Sequence, residues 1–143
     1  MDSSSNQLGF TTLTGTYPGV KLISGLAINT DTLLVTGAAH GSLVLDVLVR
    51  SKEATGRSFD IIICPTGANA TDYYNRAQMT VPSGAGNTGG VSHASLAALC
   101  PLLFDLDMAG NKIITLESGI SIYIRNLAAL TADLYVMTKF RSF

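Results

Sequence analysis

Period-two alternation of apolar and polar side chains constrains this chain more than any other feature. In the run Leu43-Val44-Leu45-Asp46-Val47-Leu48-Val49-Arg50 every odd position is apolar, and Asp46 and Arg50 stand at even ones. Successive side chains on a strand point to opposite faces, so such a run buries one face and partly wets the other. Phe59, Ile61 and Ile63 alternate with Ser58, Asp60 and Ile62 in the same way. So do Ile120, Ile122 and Ile124 with Ser121, Tyr123 and Arg125, and Leu134, Val136 and Phe140 with Tyr135, Met137 and Lys139. Residues 73–81 alternate with Asn75 as the exception, and weaker strands fit residues 20–28, 32–36, 103–106 and 112–117. Turn signals rich in Gly, Asn, Asp and Ser separate the runs, including Asn29-Thr30-Asp31, Glu53-Ala54-Thr55-Gly56 and Glu117-Ser118-Gly119. About eight or nine short, closely spaced strands predict an all-β fold, an antiparallel β-sandwich of jelly-roll type. A parallel α/β fold is excluded, because no strand is followed by a long helical pattern.

The same phase predicts the core: Leu43, Leu45, Val47, Val49, Phe59, Ile61, Ile63, Ile122, Ile124, Leu134 and Val136. One segment breaks the pattern. Leu96, Leu99, Cys100 and Leu103 recur at helical spacing, with Ser92 or Ser95 as caps and Pro101 as a stop. A short helix is expected over residues 94–99, inside a long connection. The domain reading is an N-terminal arm or first strand over residues 1–17 and one sandwich domain over 18–143. Nothing in the polar run Met1-Asp2-Ser3-Ser4-Ser5-Asn6-Gln7 resembles a basic and then apolar secretory signal. The chain is therefore expected to be made in a cytoplasm.

Charge narrows the function classes. Charged residues are 13% of the 143, the net charge is -1, and the nine Lys and Arg form no cluster in sequence. A phosphate-tracking basic stripe is absent from this pattern, which disfavours nucleic acid. No apolar run approaches the roughly 18 residues that span a bilayer. Cys64 and Cys100 are the only cysteines, outside any Cys-x-x-Cys pair, and read as buried reduced thiols.

Several motifs invite a chemical reading and do not sustain it. Gly84-Ala85-Gly86-Asn87-Thr88-Gly89 matches the dinucleotide pattern, but Pro82 separates it from the preceding strand and Pro101 cuts the following helix. Residues 84–90 are expected to be an exposed or partner-facing loop that binds no nucleotide. Asp105-Leu106-Asp107-Met108-Ala109-Gly110 opens like a calcium loop, yet Ala109 and Leu116 occupy ligand positions, so a hairpin turn at Gly110-Asn111 is expected. His40 and His93 lie beside glycines without metal-ligand spacing, and no Gly-x-Ser-x-Gly elbow is present. No catalytic, cofactor or metal residue is assigned. The aromatics allow two readings. Leu8, Phe10 and Tyr17 near the start and Phe140 and Phe143 at the end either close the core or dock on a neighbouring subunit.

Taken together, the polar start with Asn6-Gln7-Leu8-Gly9-Phe10, the late hairpin over residues 111–124 and the closing strand to Phe140 resemble the small decoration, or cement, proteins of tailed-bacteriophage heads. The resemblance is one of pattern over most of the chain and transfers no functional residue. It implies a jelly-roll structural protein without cofactor or enzymatic activity. Its partners would be copies of itself, as a homodimer or homotrimer, and the major capsid protein on the capsid exterior, with no nucleic acid or membrane. Head fibres and tail tips share these traits. Two other classes compete. A carbohydrate-binding module would stack sugars on Tyr73, Tyr74 or Tyr123, against which stand the lack of Trp and 7% aromatic content. A small barrel enzyme would need a His and carboxylate cluster that the sequence does not offer.

Overall fold

Among the described residues ten strands carry the alternating runs, and every pairing between them is antiparallel. The computed structural model describes residues 19–69 and 71–143. In chain order the strands are β1 (Gly19–Ile23), β2 (Asp31–Thr36), β3 (Ser42–Ser51), β4 (Arg57–Pro65) and β5 (Asn75–Val81). After them come β6 (Ala94–Ser95), the helical turn α1 (Leu96–Leu99), a 3₁₀ turn (Pro101–Leu103) and β7 (Asp105–Leu106). β8 (Lys112–Leu116), β9 (Ile120–Asn126) and β10 (Leu134–Ser142) complete the fold. Ser95, not Ser92, caps α1: its hydroxyl accepts from the Ala98 amide at 3.3 Å. Pro101 opens the 3₁₀ turn where its missing N–H costs nothing.

The larger sheet has the order β1-β10-β3-β8-β7, with β6 pairing Leu48 and Val49 of β3 on the side of β8. The smaller sheet has the order β2-β9-β4-β5. The chain crosses from one sheet to the other at every connection among these strands except β4 to β5, β6 to β7 and β7 to β8. These interlocked Greek keys make the sandwich a jelly roll. Crossing tightens the corner after β2. The Gly37 amide donates to the Ile120 carbonyl at 2.8 Å, and a Cβ there would lie 2.1 Å from the Glu117 carbonyl oxygen.

Between the sheets lies one main core. It contains Val47, Val49, Phe59, Ile61, Ile63, Ile122, Ile124, Leu134 and Val136 as expected, together with Met79, Val81, Leu96, Ile114 and Leu116. Two expected members are not there. Lys139 pairs with Asp46 and Phe140 with Val44, so Leu45 is an extra residue, a bulge. The bulge shifts the phase of β3: Val44 turns inward, while Leu43 and Leu45 lie half-buried on the outer face. A second bulge makes Leu34 the extra residue of β2, so Leu34 and Val35 are both buried.

Glu53, in the connection from β3 to β4, is 1% exposed. Its carboxylate accepts from Arg57 Nε at 2.6 Å, the Thr131 amide at 2.8 Å, the Thr131 hydroxyl and the Ala132 amide. The connection before β10 is thereby stapled to the connection after β3. Burial pushes this carboxyl up, but the Arg57 guanidinium and the two amides outweigh it and hold it below its ordinary range.

Candidate interface

The two sheets present opposite kinds of outer face. On the smaller sheet, pairing aligns Asp31, Arg125, Asp60 and Gln78 across the strands, with Leu33, Tyr123, Ile62 and Arg76 in the next row. Arg125 grips Asp31 through two bonds of 2.6 and 2.9 Å, and Asn69 donates to the same carboxylate. Arg76 bonds Asp60 through Nε at 2.8 Å and lies over the Tyr73 ring. The Arg125 hydrogen bond holds the Asp31 carboxyl below its usual range, against the opposing effect of burial. The connection after β4 is tied over this face, since the Gly67 amide donates to the Tyr123 hydroxyl at 2.9 Å. Beneath it Ile62, Cys64 and Tyr123 form a small buried cluster with Leu33 against it. This face is closed upon itself.

The larger sheet turns out Val20 and Leu22 on β1, Tyr135 and Met137 on β10, Leu43, Leu45 and Leu48 on β3, and Ile113 on β8. Val20 is 57% exposed and Leu22 59%. Among these apolar groups stand Arg50, Lys139 and Arg141, with Lys52 and Lys112 at the margins. Arg50 and Lys52 lie over the Tyr135 ring at 5.0 and 5.7 Å. The ion pairs among the described residues use Arg57, Arg76 and Arg125, and none involves this face. Its own carboxylate, Asp46, is occupied by the Ser95 hydroxyl at 2.7 Å and the Ala97 and Val47 amides. The turn over residues 107–111 rises beside the sheet and walls a cleft of about 550 Å³, floored by Leu43, Leu45 and Ile113 and flanked by Arg141 and Lys112.

The motif residues settle into structural places. Residues 84–90 are only partly the exposed loop expected. Ala85 is fully buried in the core, its carbonyl accepts from the Ser51 amide at 2.8 Å, and residues 87–90 are exposed. Gly86 has φ of +65°, and a Cβ there would sit 2.7 Å from the His93 ring, so it is fixed by close packing. The carboxylate of Asp107 accepts from the Ala109 and Asn111 amides of its own turn, and Gly110 has φ of +84°. His40 and His93 are both exposed. Among the described residues no three His, Cys, Asp or Glu side chains converge as metal ligands. Cys64 and Cys100 are buried free thiols. Of the three tyrosines considered for sugar stacking, Tyr123 is 8% exposed, Tyr73 is 44% exposed with Arg76 over its ring, and Tyr74 is 66% exposed.

Of the aromatic and apolar anchors, Phe140 packs against the main core and Phe143 is 42% exposed. Leu8, Phe10 and Tyr17 lie outside the described residues. Sequence reasoning missed the outer face of the larger sheet altogether. The available signal was Leu48, an apolar residue at a position that alternation turns away from the core; that Leu43 and Leu45 join it follows only from the bulge. The chain matches no protein-family model, no curated protein and no solved structure.

Proposed function

We propose that this chain is a structural, non-enzymatic jelly-roll subunit that docks on a larger protein lattice, the capsid exterior of a tailed bacteriophage, and associates with copies of itself. One observation carries the reading: one outer face has its charges paired within the chain, while the other keeps apolar side chains and cations without ion-pair partners among the described residues. Exposed apolar sheet surface rimmed by charge is the composition of a contact surface rather than of a catalytic cleft. The apolar side chains of that face gain by leaving water, its cations can be paired by a partner's carboxylates, and many weak copies on a repeating lattice combine by avidity.

Self-association is assigned to the segment carrying Leu8, Phe10 and Tyr17, which lies outside the described residues, and to Phe143, which is 42% exposed. Sedimentation velocity of the full chain, with and without residues 1–10, tests this. Concentration-dependent oligomers that the deletion weakens, at unchanged melting temperature, are expected. A chain that remains monomeric at high concentration, with the deletion altering neither assembly nor any partner binding, refutes it.

A further inference from the structure

The outer face of the larger sheet differs from the rest of the molecule in charge. It carries Arg50, Lys52, Lys112, Lys139 and Arg141, against three carboxylates: Asp46 and Asp107, both bound by neighbouring amides, and the exposed Asp105, which pairs with Ile113 at the sheet's edge. The chain as a whole has a net charge of -1, so the positive charge is segregated here. Arg50 is anchored within this face: its guanidinium donates to Asn87 at 3.0 Å and lies over the Tyr135 ring.

We propose that this face is the docking site for an acidic, apolar segment of another protein. Apolar side chains of that segment seat in the cleft above Leu43, Leu45 and Ile113, and its carboxylates meet Arg141, Lys139 and Arg50. Charge selects this occupant over a second copy. A two-fold contact places the same patch on both subunits, which sets cations against cations. Apolar floor selects it over a bare polyanion, because Leu43, Leu45, Leu48 and Met137 would lie unburied beneath a phosphate backbone. The inference rests on the chain being a docking subunit and names the chemistry of the surface that receives it.

The test is a nuclear magnetic resonance titration of the full chain with an end-blocked hexapeptide alternating Glu and Leu. Three comparison probes accompany it: the same peptide with Lys for Glu, a short DNA duplex, and vesicles of anionic phospholipid. Saturable shifts confined to the outer face of the larger sheet are expected with the acidic peptide alone. Lys139→Glu with Arg141→Glu, both solvent-facing and without structural bonds among the described residues, should weaken that binding at least about tenfold. Leu43→Ala should weaken it while leaving the charge unchanged. The absence of saturable shifts, shifts centred on the smaller sheet, or equal binding of the Lys peptide, the duplex or the vesicles each overturns the inference. If oligomers still form in sedimentation and still need residues 1–10, such a result leaves the structural role standing and removes only the acidic partner.

Discussion

Replacing Glu53 by Ala tests how this sandwich is held together. Its side chain has no exposure, and its two oxygens serve Arg57 Nε, the amides of Thr131 and Ala132, and the Thr131 hydroxyl. Truncation leaves a guanidinium that is 22% exposed and two backbone amides without their acceptor. Water can reach the guanidinium in part, so its loss counts less than that of the amides. Breaking a buried pair costs about 3–5 kcal/mol, and each orphaned buried donor about 1–3 kcal/mol, so we expect about 4 kcal/mol in total. For a domain of this size that lowers the melting temperature by roughly 10–15 °C. Glu53→Gln keeps the volume and one acceptor oxygen and should cost about half as much. Urea unfolding followed by circular dichroism at several pH values reads both. The folded carboxyl titrates below its unfolded value of 4.5, so its contribution is fully present above pH 4.5 and is lost as pH falls through the folded value. Wild type and Glu53→Ala should therefore converge in acid. A cost under about 1 kcal/mol at neutral pH, or a gap that widens in acid, would refute the staple.

Leu134→Ala should cost roughly 2–5 kcal/mol and Leu43→Ala under about 1 kcal/mol, because regular pairing puts the first in the core while the bulge at Leu45 leaves the second outside it; equal costs in thermal melts would contradict the register. Gly37→Ala should destabilise by about 1–3 kcal/mol, since its Cβ meets the Glu117 carbonyl and backbone must move; an unchanged melting temperature would mean the corner is looser than this. Tyr123→Phe should lose about 1 kcal/mol with its bond to the Gly67 amide, and hydrogen exchange at that amide should rise while the sandwich core stays protected.

Local alternation was sufficient for the strands and most of the core. Ile122 and Ile124, or Phe59 and Ile61, lie on strands without a bulge between them, and two-residue periodicity carries directly to the buried face. Phase failed where a strand gains a residue. Leu45 is apolar, like its neighbours, so nothing in its identity marks the bulge, and only pairing with Lys139 and Phe140, far along the chain, reveals it. Ionic partners were illegible for a related reason. Asp31 and Arg125 stand 94 positions apart and meet because β2 and β9 pair in one register. Glu53 sits in a Glu-Ala-Thr-Gly turn signal, and the donors that bury it come from the connection before β10. Part of the apolar outer face shares this origin: the bulge turns Leu43 and Leu45 away from the core to join Leu48, Met137 and Ile113.

That origin also accounts for the asymmetry between the faces. An Arg held by Asp in two bonds, as Arg125 is by Asp31, must lose those bonds before it can serve a partner, and the connection after β4 would have to lift from Tyr123 as well. Docking on the smaller sheet thus begins with breaking what the fold has already made. On the larger sheet the order is reversed. Arg141 and Lys139 bring no internal carboxylate to be displaced among the described residues, and Leu22 and Val20 gain burial that folding did not supply. Each roughly 100 Å² of apolar area covered there contributes on the order of 2–3 kcal/mol before the costs of association. Under the proposed docking role, copies repeated on a lattice combine such contacts by avidity, so a modest affinity per copy suffices.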